Sequence, residues 1–141
     1  MDKKVINELN AYLKGEYMAI KSYENYIGRI KDQFVKKEFR EIQSDHKRHA
    51  SRVSQRITEL GGRPVKGPGL MVVMSSLKNL VKRNGNDTEF IIRDAGNGEY
   101  RGIRTAEEVV KGDLDADSLK LIKDILEEDR SHVGKLSNYL H

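Results

Sequence analysis

Apolar side chains recur at every third or fourth position in four long stretches of the chain. This spacing gathers them into one stripe along a helix, as in the core-facing helices of globular proteins. Aspartates able to cap a helix and glycines able to end one separate the stretches. The pattern predicts four helices, over residues 2–31, 33–60, about 88–111, and from Asp115 or Asp117 to about residue 140.

The segment between the second and third stretches has a different composition. Residues 61–69 contain both prolines and four glycines, which predicts a loop, and residues 70–83 carry a short apolar pattern, which predicts one further helix. Leu70–Met74 is apolar on more than one side and either packs on the bundle or forms a dimer contact. Two helical hairpins joined by a long crossover form an all-α four-helix bundle, here expected as a single domain over residues 1–141.

Six acidic or histidine side chains occupy stripe positions, where core residues are expected. Burying an unpaired carboxylate costs several kcal/mol or shifts its pKa until it is neutral, so a compensating partner is expected inside the bundle. Asp45 and Glu128, which precede two of the six by one position, fit the stripes less well. The six residues are Glu16, His46, His49, Glu99, Asp129 and His132.

These residues belong to an internal repeat. At a constant offset of 83, residues 15–57 align without a gap with residues 98–140. Each half of the repeat is one helical hairpin, so the halves are expected to pack with pseudo-two-fold symmetry. The aligned residues include Gly15-Glu16-Tyr17 with Gly98-Glu99-Tyr100, His49 with His132, and His46 with Asp129.

A divalent cation compensates such a cluster well, because carboxylate oxygens and imidazole nitrogens converge on it. A histidine three positions after another ligand shares its helix face, which fits His46 with His49 and Asp129 with His132. Two alternatives stay open at this point. His49 is a hydrogen-bonded core histidine, or the two glutamates pair with lysine or arginine across the bundle.

Three motifs resemble those of a known family. Gly-Glu-Tyr occurs in the first and third predicted helices, His49-Ala-Ser-Arg-Val follows an acidic stretch, and Asp129 with His132 repeats the spacing of the second helix. The chain thus resembles ferritin-like proteins of the rubrerythrin and bacterioferritin type over nearly its whole length. More closely, it resembles a bacterial family of uncharacterised four-helix-bundle proteins with a helix in the crossover.

The resemblance implies a metal centre, with dinuclear iron expected and zinc as the alternative. It makes the glutamates of the first and third helices, with His49 and His132, terminal ligands, and it places bridging carboxylates at positions 46 and 129. Asp129 is one methylene shorter than the usual Glu. His46 cannot replace a bridging Glu like for like, because a neutral imidazole normally offers one lone pair. Three carboxylates and three imidazoles also suit zinc, nickel, copper or a single metal.

Two functions follow from the resemblance and stay open. The first is a metal-binding protein with a role in iron or oxidative-stress handling, whose reaction, if it is an enzyme, is ferroxidase-like oxidation of bound ferrous iron by oxygen or peroxide. The second is a non-catalytic bundle that acts through its surface as a stress or coat-type interaction protein. In that case its polar core is vestigial or holds zinc.

The amino-acid composition of the chain narrows the classes of molecule that it is expected to bind. The chain carries 26 basic and 22 acidic side chains, interspersed as on a solvated helical surface rather than gathered as in a nucleic-acid patch. It has no cysteine, which excludes thiolate catalysis and cysteine-ligated metal. It shows no signal segment and no run long enough to span a bilayer. We expect a cytoplasmic monomer or homodimer that binds metal ions, without nucleic-acid or membrane partners.

Glycine and tyrosine flank both glutamates of the repeat. Glycine inside a helix costs about 1 kcal/mol relative to alanine, so Gly15 and Gly98 predict close backbone approach at these sites. Tyr17 and Tyr100 are expected to pack beside them. Hydrogen-bond donation from the two tyrosines to the centre is the alternative.

Overall fold

The computed structural model describes residues 3–68 and 87–140. Within these residues the chain forms four helices, named here in order: α1 (Lys3–Arg29), α2 (Gln33–Glu59), α3 (Thr88–Val110) and α4 (Ala116–Ser137). The predicted helix over residues 70–83 and the apolar segment Leu70–Met74 lie outside the described residues. Among the described helices, none is both long enough and apolar enough to cross a membrane.

Aspartate side chains set the starts of three helices. Asp32, Asp87 and Asp115 each accept hydrogen bonds from backbone N–H groups in the first turn of α2, α3 and α4. Such caps satisfy donors that have no partner within the helix. Asp115 rather than Asp117 therefore begins the last helix. Beyond α2, Gly61 adopts a φ of 86°, a left-handed conformation that favours glycine.

Each helix packs against two others. The closest packing joins α1 to α2 and α3 to α4, which form two hairpins. The hairpins meet through α1 with α3 and through α2 with α4. This arrangement gives the two halves of the repeat equivalent positions in the bundle.

Two apolar clusters occupy opposite ends of the bundle. The first combines the early parts of α1 and α4 with the late parts of α2 and α3, and it includes Leu9, Val53 and Ile122. The second combines the other ends of the same helices and includes Phe39 and Ile91. On every helix, the polar residues identified in the stripes lie between the two clusters. They form a polar layer across the middle of the bundle.

Candidate metal centre

All six stripe residues lie in this polar layer, and none of them is more than 5% exposed. α1 and α3 each contribute one glutamate, α2 contributes two histidines, and α4 contributes an aspartate and a histidine. The regular spacing of the helices brings these side chains together from four separate parts of the sequence. The layer consists of Glu16, His46, His49, Glu99, Asp129 and His132.

His46 lies at the centre of the layer, between the two glutamates. Its Nδ1 atom is 3.0 Å from Glu16 Oε2, and its Nε2 atom is 2.8 Å from Glu99 Oε2. Burial lowers the pKa of a histidine, but the contacts with the two carboxylates outweigh it and raise the His46 pKa well above its ordinary value. Without metal, His46 is therefore an imidazolium that donates to both glutamates.

The two glutamates are held in their charged form. Burial alone would raise the pKa of Glu99, but contacts with His132 and His46 lower it to about 2. Glu99 also accepts a hydrogen bond of 2.9 Å from the Tyr23 hydroxyl. Burial is outweighed in the same way at Glu16, where His46 and His49 lower the pKa.

Asp129 has a different electrostatic environment. Burial, together with the charges of Glu16 and Glu99, raises the pKa of this carboxyl. Its Oδ1 atom is 3.5 Å from His132 Nδ1 and 3.9 Å from His49 Nδ1. Within the described chain, Asp129 Oδ1 and both ring nitrogens of His49 have no hydrogen-bond partner, although all three atoms are buried. Buried polar atoms without partners are rare, so Asp129 Oδ1 and the inward-facing His49 Nδ1 mark a place where a bound ion would fit.

A second set of carboxylates contacts the outer nitrogens of two histidines. Asp45 Oδ2 lies 2.9 Å from His132 Nε2, and Glu128 Oε1 lies 3.3 Å from His49 Nε2. The two contacts are equivalent in the repeat and cross between α2 and α4. Arg48 joins them, since its guanidinium is 3.0 Å from Asp45 and 2.6 Å from Glu128. Carboxylates in this position orient the imidazole and direct its other nitrogen inward.

These outer contacts also change the charge of the groups involved. Burial lowers the His132 pKa, but Asp129, Glu99 and Asp45 together raise it to about 9. The Arg48 guanidinium, with a smaller contribution from His49, lowers the Glu128 pKa to about 2. The centre thus extends from the buried layer to the half-exposed arginine.

The ligand atoms fall into two groups that share His46. One group contains four residues and the other contains three, and within each group one ligand atom per residue lies within 4.8 Å of the others. Carboxylate and imidazole ligands in such sets suit divalent first-row metals. The four-residue group is His46, Glu99, Asp129 and His132, and the three-residue group is Glu16, His46 and His49.

Tyrosines other than the predicted ones reach the centre. Tyr23 donates to Glu99, and the buried hydroxyl of Tyr12 lies beside Glu16, since burial and then contact with Glu16 raise the Tyr12 pKa. Both occupy apolar stripe positions of α1, which the periodicity alone does not distinguish from ordinary core aromatics. Tyr17 packs against the first apolar cluster, and Tyr100 is 53% exposed, so neither donates to the layer.

The predicted close backbone approach at the repeated glycines is wrong. A Cβ atom at Gly15 would have no atom within 4 Å, and one at Gly98 would meet only the Arg101 guanidinium, at 3.7 Å. Both glycines line a cavity between α1 and α3 that extends to Glu16 and Glu99. They keep space open rather than allowing helices to touch.

A family model and several solved structures match the chain. The model, described as a domain of unknown function (DUF2383), covers residues 4–112. Bacterioferritin from Desulfovibrio desulfuricans, described with a diiron site, has a TM-score of 0.80 at 26% identity, over 96% of this chain and 77% of that one. The dodecameric thioferritin of Bacteroides fragilis, a bacterioferritin-related protein, has a TM-score of 0.77 at 25% identity, over 99% and 86%.

A ferritin-like diiron-carboxylate protein from Bacillus anthracis is 24% identical and covers 100% of both chains with a TM-score of 0.76. No functionally curated protein matches the sequence significantly. The predicted ferritin-like four-helix bundle is thereby confirmed as the fold.

Proposed function

The chain belongs to the DUF2383 family of domains of unknown function, and we propose that it is a metal-binding protein whose polar layer holds divalent metal ions. One observation carries the proposal: three carboxylates and three imidazoles from four helices meet in one buried layer, in two groups of potential ligands. The partnerless atoms of His49 and Asp129 support it, because a cation would satisfy them.

We propose that the two positions bind metal unequally. The four-residue group offers two carboxylates, whose charges neutralise a divalent ion, whereas the three-residue group offers one. A neutral His46 can give its lone pair to one position only. The first ion therefore binds tightly to the four-residue group, and the second binds more weakly through Glu16 and His49.

Iron is the metal we propose first, since the similar structures from Desulfovibrio desulfuricans and Bacillus anthracis are described as diiron proteins. Iron bound in this centre would supply redox chemistry, namely the oxidation of ferrous iron by oxygen or peroxide. Such chemistry would give the protein a role in iron or oxidative-stress handling. The residues of this chain bind the ion, and Tyr23 orients Glu99 through its hydrogen bond. Asp45 and Glu128 orient the two ligand imidazoles.

Metal stoichiometry and affinity test the proposal directly. Untagged wild-type protein and the variants His132→Ala and His49→Ala are titrated anaerobically with ferrous iron, and bound metal is counted by elemental mass spectrometry. The wild type should bind two ions per chain, His49→Ala should keep the tight one, and His132→Ala should lose it. Arg52→Ala serves as a surface control, and circular dichroism verifies the fold of each variant.

The results of this titration distinguish between the proposed functions. Wild-type protein that retains no ion, or a His132→Ala variant that binds as tightly as the wild type, would overturn the proposed centre. An oxygen-dependent absorbance change that needs both histidines would support ferroxidase-like chemistry.

A second candidate function has its own supporting observation. His46 donates to both Glu16 and Glu99, so the metal-free centre is already largely hydrogen-bonded and charge-compensated. This fits a non-catalytic bundle with a vestigial or zinc-bound core that acts through its surface. Absence of iron binding with an intact fold would favour it. The cytoplasmic location, the monomeric or dimeric state and the lack of nucleic-acid partners stay predictions from the sequence.

A further inference from the structure

Packing at both ends of the bundle closes the polar layer to ions from those directions. Each residue of the layer is at most 5% exposed, so an ion must pass between other side chains to reach it. The two apolar clusters fill the bundle on either side of the layer. An ion would lose its hydration in apolar packing, which is very costly. An ion that enters the layer therefore comes between two helices.

Side-chain contacts close three of the four faces of the layer. Between α2 and α4, the Arg48 guanidinium bridges a carboxylate of each helix. Between α1 and α2, the buried Gln43 amide donates a hydrogen bond of 3.0 Å to the Ile20 carbonyl. Between α3 and α4, Arg130 contacts Glu107 at 3.1 Å. The face between α1 and α3 remains.

A cavity of about 600 Å³ lies on this fourth face. Its lining runs from exposed residues, such as Gly15 and Arg101, to the buried glutamates of the layer. A water molecule occupies roughly 30 Å³ in the liquid, so a cation with six waters needs roughly 200 Å³. The cavity is therefore large enough to bring a hydrated cation from the surface to the ligands of the centre.

The charges along the cavity favour a cation. Its lining contains four carboxylates and two cationic side chains, His46 in the layer and the exposed Arg101. Asp94 is partly exposed, and the Tyr26 hydroxyl holds its carboxylate through a hydrogen bond of 2.5 Å. A cleft with an excess of one charge raises the local concentration of ions of the opposite charge. The four carboxylates are Glu16, Asp94, Glu99 and Asp129.

The inner end of the cavity carries an acceptor atom without a partner. Asp129 lines the cavity and is 2% exposed, and its Oδ1 atom forms no hydrogen bond within the described chain. Buried polar atoms of native proteins nearly always have a partner. A cation that has passed along the cavity would supply one.

We propose that divalent cations enter the metal centre through the cavity between α1 and α3, where Asp94 attracts them at the outer end and Asp129 receives them at the inner end. This inference rests on the proposed metal centre. It adds a role for Asp94, which lies outside both groups of potential ligands.

The test measures how fast cobalt(II) enters and leaves the full-length chain. Association is followed by stopped-flow absorbance, and dissociation is followed after the loaded protein is mixed with excess EDTA. A substitution that only obstructs the route lowers both rate constants by the same factor, so their ratio, the dissociation constant, is unchanged. Loss of a ligand changes that ratio instead.

Gly102→Leu should obstruct the route. Gly102 lines the cavity, and a Cβ atom there would have no atom within 4 Å, so a leucine would fill open space. Both rate constants should fall roughly tenfold, the effect of a barrier higher by about 1.4 kcal/mol. Gly96→Leu is the matched control with rates like the wild type, since Gly96 has equal room on the same helix but does not line the cavity.

Two charge variants test the attraction of the cation without filling the cavity. At low salt, Asp94→Asn should slow association about threefold, and Arg101→Gln should speed it by a similar factor, because each removes one charge from the outer part of the cavity. Both effects should shrink as salt is raised. Equal association rates for the two variants at low salt would overturn the role of Asp94.

The remaining outcomes separate the route from the centre itself. Wild-type protein that binds no metal would overturn both. Metal binding with unchanged rates in Gly102→Leu would overturn the route alone. Faster association in Arg48→Ala, which removes the bridge on the face between α2 and α4, would place the entry on that side and would also overturn the route. Circular dichroism verifies the fold of each variant.

Discussion

A single histidine decides the electrostatics of the polar layer. His46 stands where the resemblance to ferritin-like proteins places a bridging carboxylate, and it contacts both Glu16 and Glu99. As an imidazolium, His46 compensates the two buried negative charges of these glutamates. A carboxylate at position 46 would instead add a further negative charge. The metal-free centre is therefore stabilised by a cation that belongs to the protein itself.

His46→Glu should make the fold depend on metal. Removing the cation from a buried ion pair costs roughly 3–5 kcal/mol, and the new carboxylate adds repulsion. We expect lower stability of the metal-free variant in urea unfolding, with a larger gain on adding zinc than in the wild type. His46→Gln, which removes the cation without adding a negative charge, should lose less stability than His46→Glu. Equal stability of the metal-free His46→Glu variant and the wild type would contradict this account of the centre.

Arg48 should affect metal affinity more than stability. The guanidinium holds Asp45 and Glu128 against two ligand imidazoles, but it is about half exposed, so its ion pairs contribute at most about 1 kcal/mol to folding. Loss of an outer contact of this kind typically weakens metal binding by about tenfold or more. Arg48→Ala should therefore lower zinc affinity in calorimetry with little change in unfolding.

Arg52→Ala is the matched control for Arg48→Ala. Arg52 is similarly exposed and contacts Asp124 at 3.7 Å, away from the ligand imidazoles. If both variants weakened zinc binding equally, a specific orienting role of Arg48 would be disproved.

The sequence identified some of the residues of the centre but not all of them. Periodicity and the repeat identified all six residues of the polar layer, because a charged residue in an apolar stripe is a strong signal. The outer carboxylates Asp45 and Glu128 gave a weaker signal, since they lie off the stripe and reach the histidines from the opposite hairpin. Arg48 gave none, because an arginine on an exposed helix face looks like any solvated charge.

At the scale of helices, glycines have two opposite uses in this bundle. Gly62 allows close packing, since a Cβ atom there would lie 2.6 Å from Ile6 Cγ2 and 3.0 Å from Ile57 Cγ2. Gly102 leaves open space in α3. The helix limits were well predicted by caps and periodicity, to within about three residues, the largest difference being at the end of α4. The role of each glycine was not, because it depends on which helix lies opposite.

Alanine substitutions should separate the two uses. Gly62→Ala should destabilise the chain by roughly 1–3 kcal/mol, because it overpacks the contact with α1. Gly102→Ala should stabilise it by up to about 1 kcal/mol, because it improves helix propensity without a clash. Urea unfolding of the metal-free proteins measures both. The same sign of change in the two variants would refute the distinction.

At the scale of the whole molecule, the bundle has two apolar ends and a charged middle. The sequence predicted this topology because four stripes and one long crossover leave few alternatives. It did not predict the cavity between α1 and α3, since a gap between helices depends on their distance rather than on either pattern alone. The charged middle makes the stability of the metal-free molecule sensitive to pH.

Metal-free protein should be most stable between about pH 4.5 and 6.5. The raised pKa values of His46 and His132 stabilise the fold below the ordinary histidine pKa of 6.5, and this contribution is lost as pH rises through about 9 for His132. The lowered pKa of Glu99 stabilises the fold above its ordinary value of 4.5, and this is lost as pH falls toward about 2. The His132 contribution is about 3 kcal/mol.

Urea unfolding in the presence of a chelator, at several pH values from 4 to 9.5, measures this profile. His132→Gln should flatten the loss on the alkaline side and also reduce the loss on the acid side, because His132 contributes to the lowered pKa of Glu99. Zinc should reverse the alkaline trend, because metal competes with protons for the same nitrogens and binds more tightly as pH rises. Stability of the metal-free protein that grows from pH 6.5 to 9 would exclude a protonated His132.

The symmetric packing of the two hairpins has a consequence for how this protein arose. Equivalent contacts in the two halves imply descent from a shorter ancestor that paired with its own copy and was later fused in tandem. Two copies of the second half would assemble four carboxylates and two histidines, the ligand set of ferritin-like diiron proteins. Two copies of the first would assemble two carboxylates and four histidines. In one fused chain the two halves can differ, and His46 and Asp129 at equivalent positions of the repeat are such a difference.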